Sequence, residues 1–178
     1  VVLDKTGTLT TGVFAVSRLA PADGVEGAAL LQAAADAEQQ SNHPLARSIM
    51  KTAVDARLKP IELSSFEEVH GRGVRAKSAT GEVLAGRAAW LQEINPSIAP
   101  QVESVEEKLE GMTGVHVMRD GRYLGAVGLA DALRPNAKAV VSRLRELGVN
   151  PNDTTIQRVI ELANELLGFD SKFQREPP

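Results

Sequence analysis

The chain has 178 residues, with 20 Lys+Arg against 23 Asp+Glu for a formal charge of −3, 43% apolar residues and no Cys. Such a length buries a real core in one domain or two small ones, and the near-neutral balance without a basic run argues against nucleic acid as a partner. Without Cys there is no disulfide, thiolate metal site or Cys nucleophile, and no stretch approaches the roughly 18 apolar residues of a membrane helix.

Taken in chain order, Val1-Val2-Leu3 reads as a buried strand that delivers Asp4 at its C-terminal edge, the edge where α/β sheets hold ligands. Residues 13–19 read as a strand, and an Ala-rich helix follows from Gly24 and Gly27 to about Gln40. Ser41-Asn42-His43-Pro44 is a helix-start signal, and the helix behind it sets Leu45, Ile49 and Ala53 on one face. From 61 to 86 the pattern becomes short alternating runs, with a hairpin turning at Thr80-Gly81. Short helices are expected over 87–93 and 101–110. Asp120-Gly121 marks a second hairpin between Val115, Val117 and the Tyr123–Val127 run. A helix is expected after Arg134-Pro135 and another, amphipathic, over 154–167, with a polar, disordered end from Asp170.

The chemistry begins at Asp4-Lys5-Thr6-Gly7-Thr8-Leu9-Thr10. A carboxylate at a strand end, followed by a glycine turn and hydroxyls, suits covalent phosphoryl transfer: the carboxylate attacks, turn N–H groups and Thr hydroxyls bind phosphate oxygens, and Mg²⁺ neutralises charge. Thr6, two residues on, cannot serve as a base to hydrolyse an acyl phosphate, so that species should persist. The heptapeptide resembles the phosphorylation motif of the P-type ATPases, ion pumps of the haloacid-dehalogenase-like superfamily. The resemblance makes Asp4 the phosphorylated residue, sets Lys5 and Thr6 on the phosphate, and gives Asp4 and Thr6 a share of the Mg²⁺ site.

Glu38 and Ser41-Asn42-His43-Pro44-Leu45 form a second group. A His fixed ahead of a Pro-started helix can stack on a base, an interaction of about 1–3 kcal/mol. Read alone it is an ordinary cap with a solvated ring. The string is similar to the Ser-Glu-His-Pro-Leu motif of heavy-metal-transporting P-type ATPases, with Asn42 in place of Glu. By that likeness His43 orients adenine and Glu38, five positions earlier, also contacts it. Gly71-Arg72-Gly73 allows close backbone approach to a ligand but could equally be a tight turn; it matches the subfamily's Gly-x-Gly beside the nucleotide. Gly86-Arg87 departs from the usual Gly-Asn, though a guanidinium at Arg87 can bind phosphate. Asp131-Ala132-Leu133-Arg134 resembles an Asp-x-x-Arg that couples the nucleotide and phosphorylation domains; alone it reads as an acidic helix N-terminus.

The resemblance implies an α/β and α+β architecture: an antiparallel-sheet nucleotide-binding domain with flanking helices (12–128), inserted into an incomplete haloacid-dehalogenase-like, Rossmann-like phosphorylation domain (1–11 and 129–149). Beyond 149 the family's Thr-Gly-Asp and Gly-Asp-Gly-x-Asn-Asp strings do not follow, and 150–178 stays unassigned. The implied function is ATP binding and aspartyl-phosphate formation in a heavy-metal pump, with ATP or ADP and Mg²⁺ as ligands and the metal cation as cargo. The pump would reach the membrane only through transmembrane helices that this stretch lacks, with the chain itself on the cytoplasmic side. The expectation for the chain alone, read as a fragment, is nucleotide binding without turnover. Two other readings stay open: a soluble haloacid-dehalogenase-like phosphatase, which Thr6 disfavours, and a non-catalytic nucleotide-binding remnant.

Overall fold

The computed structural model describes residues 10–133. Within them a compact unit runs from Phe14 to Ala130. Its chain order is β1 (Thr10–Pro21), α1 (Gly27–Glu38), α2 (Pro44–Asp55), β2 (Leu63–Val69), β3 (Gly73–Ser78) and β4 (Gly81–Gly86). There follow α3 (Ala88–Ile94), a 3₁₀ turn (Pro96–Ile98), α4 (Ala99–Glu107), β5 (Thr113–Arg119) and β6 (Arg122–Leu133). The strands make one six-stranded sheet in the order β1-β6-β5-β4-β3-β2, and each registered pair from β2 to β6 is antiparallel.

Both hairpins form, for reasons local to their turns. Asp120 (φ 48°) and Gly121 (φ 78°) sit between the paired residues Arg119 and Arg122, the double left-handed conformation of a two-residue turn. The β3–β4 hairpin turns one residue earlier than expected, at Ala79-Thr80, because Ser78 pairs with Gly81 and makes that glycine the first residue of β4.

Alternation along the strands sends side chains to two cores. Val74 joins Val83, Ala85, Val115, Val117, Val127 and Leu129 in one cluster with Leu30, Leu31 and the alanines of α1. Leu84, Met118, Tyr123 and Ala126 point the other way, into a second cluster with Trp90, Leu91, Val102 and Val105 of α3 and α4. The first helix is buried on nearly every side, Ala33, Ala34, Ala35 and Ala37 being wholly inaccessible. Alanine supplies helix propensity and lets α1 pack between the sheet and α2. The second helix is amphipathic: Ala46, Ile49 and Ala53 are buried, and Leu45, expected on that face, is only partly so.

The expected helix after Pro135, the helix over 154–167 and the strand at 1–3 lie outside the described residues. Asp131 belongs to β6, which runs on to Leu133, so the acidic helix-start reading of that residue is corrected. Among the described residues no helix is long and apolar enough to cross a membrane.

Candidate nucleotide site

Helix α1 ends on Glu38, and a tight turn carries the chain to α2. The Ser41 amide donates to the Glu38 carbonyl (3.0 Å), and the Ser41 hydroxyl accepts from the His43 amide (3.2 Å). His43 is the N-cap of α2: its Nδ1 accepts from the Leu45 amide at 3.2 Å, with Pro44 opening the first turn. A neutral ring accepting at Nδ1 carries its proton on Nε2. The ring is exposed and is held by this bond.

Glu38 is different in kind, only 6% exposed at the end of a buried helix. Burial pushes its carboxyl up to about 7; a hydrogen bond from Ser41 opposes the shift and the charge of Glu68 adds to it. Glu68 comes from β2, where it pairs with Val74 of the α1-facing core. The register therefore brings the end of α1 to the Gly71–Gly73 end of β2 and β3.

The glycines at that end do two separate jobs. Gly71 has φ 71° in the turn closed by the Arg72 amide on the Val69 carbonyl (2.9 Å), and nothing lies within 4 Å of where a Cβ would be. Gly73 stands opposite Gly86: a Cβ on Gly73 would lie 2.1 Å from the Ala85 carbonyl oxygen, and one on Gly86 would lie 2.3 Å from that of Arg72. Gly73 is thus demanded by the neighbouring strand, whereas Gly71 leaves open backbone. The same contact draws in Arg87, whose amide donates to the Arg72 carbonyl at 2.9 Å. Arg87 is exposed at the start of α3 and forms no ion pair among the described residues, while Arg72 is paired with Glu93. One sheet end therefore carries Glu38, Glu68, the open Gly71 backbone and Arg87, with His43 held to Glu38 through Ser41.

Asp131 stands apart. It accepts from the Thr10 hydroxyl (2.5 Å) and the Gly12 amide (3.0 Å), tying the start of β1 to the end of β6. Asp4, Lys5, Thr6 and Arg134 lie outside the described residues, and no cluster of three metal-ligating side chains occurs among the described ones.

Three features escaped the sequence reading. Glu68 belongs to no motif in the sequence. Asp36, 1% exposed, takes the Arg119 guanidinium, Gln32 Nε2 (2.8 Å) and the Ile61 amide (3.1 Å), and so fixes the last turn of α1. His116 and Tyr123 form a buried pair, Nδ1 to Oη 2.7 Å, in the second core. Their signals are pairings across the sheet, which no local motif announces.

The family model described as haloacid dehalogenase-like hydrolase matches residues 1–175, past the point where the motifs run out. A cadmium, zinc and cobalt-transporting ATPase of Bacillus subtilis is 41% identical over 148 residues, 83% of this chain and 20% of that protein. A zinc-transporting PIB-type ATPase in its E2.Pi state superposes with TM-score 0.71 at 33% identity, covering 92% of this chain and 27% of that one. The catalytic domain of a CPx-ATPase, solved in a study of conformational change upon nucleotide binding, gives TM-score 0.61 at 27% identity over 92% of this chain and 57% of that one. The chain spans about a fifth of the length of the curated relatives it matches.

Proposed function

Since the chain belongs to the haloacid dehalogenase-like hydrolases and its relatives there are heavy-metal-transporting P-type ATPases, we propose that residues 14–130 bind ATP for phosphoryl transfer to Asp4. The observation that carries this reading is the Glu38–Ser41–His43 turn. It holds a buried carboxyl that feels the charge of Glu68 on β2, and an imidazole capped onto α2, groups suited to a base, while the open Gly71 backbone after β2 suits phosphates.

In this reading His43 and Glu38 receive adenine, the Gly71 backbone lets the nucleotide approach, and Arg87 meets the phosphates as a guanidinium where relatives carry an amide. Arg is suited to that place because its planar fork bonds phosphate oxygens in pairs. Gly73 acts indirectly, by letting the Gly86-Arg87 turn lie against the loop. Asp131 and Arg134 couple the nucleotide unit to the segment bearing Asp4. An Asp4 carboxylate oxygen attacks the γ-phosphorus, the bond to the bridging β,γ-oxygen breaks, and ADP leaves.

Lys5 and Thr6 hold the transferred phosphoryl group. Asp4 and Thr6 offer hard oxygen donors of the kind Mg²⁺ takes, and the ion would supply charge neutralisation there. In the complete pump, on the cytoplasmic side of a membrane, the acyl phosphate drives transport of a heavy-metal cation. The step that opens this sequence is nucleotide binding by the chain itself. Calorimetric titration with ADP tests this: binding by the chain, weakened by about 1–3 kcal/mol in His43→Ala, is the expected result. Equal affinity in the two proteins would remove His43 from the site.

A further inference from the structure

A carboxyl at Glu38 can meet the base either ionised or neutral. The surroundings of its buried carboxyl contain no ion-pair partner among the described residues. From the loop comes the Ser41 hydroxyl, and from β2 a second carboxylate, Glu68. Arg119 of β5 is engaged with Asp36, and Lys51 of α2 with Asp55, while Arg47 of α2 is exposed. Arg75 and Lys77 of β3 and Glu82 of β4 alternate with Val74, Ala76 and Val83, and so sit on the sheet face turned away from α1. The Nδ1 atom of His43 is already taken by the Leu45 amide.

The two forms of a carboxyl recognise different bases. An ionised carboxylate only accepts, which suits the guanine edge with its N1–H and its N2 amine, both donors. A neutral carboxylic acid donates through O–H and accepts through C=O, which suits adenine, whose N1 accepts and whose N6 amine donates. Burial without a cation, beside a second carboxylate, favours the neutral form.

We infer that Glu38 reads the base as a neutral carboxylic acid, kept neutral chiefly by its burial with Glu68 as a positioning charge that adds to it, so that adenine is taken in preference to guanine. The inference rests on the nucleotide-binding reading. The shift of the Glu38 carboxyl to about 7 agrees with it and puts the transition close to neutrality.

Adenosine and guanosine carry no phosphate that titrates, so they isolate base recognition. Their affinities for the whole chain are measured by NMR titration from about pH 5.5 to about pH 8.5. Adenosine affinity is expected to be level at the acid end and to fall about tenfold per pH unit above the midpoint, while guanosine affinity rises. Glu38→Gln, whose amide both donates and accepts at any pH, removes the Glu38-linked fall. Glu68→Gln moves the midpoint to lower pH, a displacement that a merely structural role for Glu68 would not produce. A wild-type profile level across the range, a Glu38→Gln profile that still falls like the wild type, or an unmoved midpoint in Glu68→Gln overturns the inference while nucleotide binding stands. No response to adenosine or ADP at any pH overturns the nucleotide reading and the inference together.

Discussion

Glu38 gives up its proton near 4.5 when solvated but holds it to about 7 in the fold, so its ionisation opposes folding. The stability tied to its neutral form is complete below about 4.5, is lost as pH rises from there to about 7, and then stays lost. His116 does the reverse, because burial drops its imidazole from 6.5 to about 4. Its contribution is complete above 6.5 and is lost as pH falls through about 4. Each effect is on the order of 3 kcal/mol, and the two nearly cancel between pH 4.5 and 6.5. Glu38→Gln removes one arm. It should raise the melting temperature at about pH 8 and leave a protein that loses stability on acidification more steeply than the wild type. Thermal melts of both proteins at several pH values check this; parallel curves would show that Glu38 is ionised without cost. Asp36 is a second residue-scale test. Its charge is buried and Arg119 covers it, so Arg119→Ala should cost roughly 3 kcal/mol in urea unfolding by stranding the carboxylate.

Among the elements, the β3–β4 ladder and the turns at its open end separate glycines the neighbouring strand demands from one it does not. Gly86→Ala forces a methyl group against the Arg72 carbonyl and should destabilise by about 1–3 kcal/mol, as overpacking does. Gly71→Ala meets no atom and costs only about 1 kcal/mol for its left-handed backbone, so its main effect should fall on ADP affinity. Urea melts beside ADP titrations distinguish the two; equal stability losses would make Gly71 a structural residue as well. This is also the scale at which the sequence could be read. Asp120-Gly121 and Ser41–Pro44 announce themselves because their turn chemistry is contained in a few adjacent residues. The turn falls at Ala79-Thr80, one residue ahead of the Thr80-Gly81 that its glycine suggests, because Gly81 serves to make room for the Asp120 carboxylate. Glu68 and the Asp36–Arg119 pair were not legible, since strand register and an 83-residue separation bring those groups into place.

For the molecule as a whole, the proposed function assigns nucleotide binding to residues 14–130 and phosphorylation and coupling to the segments that bear Asp4, Asp131 and Arg134. Residues 14–130 hold both cores and every described residue of the candidate nucleotide site. Expressed alone, they should fold and bind ADP as the full chain does, which circular dichroism and calorimetry would establish. Motif order along the chain pointed to this division, while the distinct duties of Gly71 and Gly73 emerged only from the paired backbones. The central claim is that the Glu38–His43 turn and the Gly71 loop form one nucleotide site. Amide NMR of the full chain titrated with ADP tests it most directly. Shifts are expected to gather at Glu38, Ser41, His43, Gly71, Gly73 and Arg87, and to be largely abolished in His43→Ala. A well-dispersed spectrum in which ADP leaves those amides unmoved, or moves amides elsewhere, would contradict it.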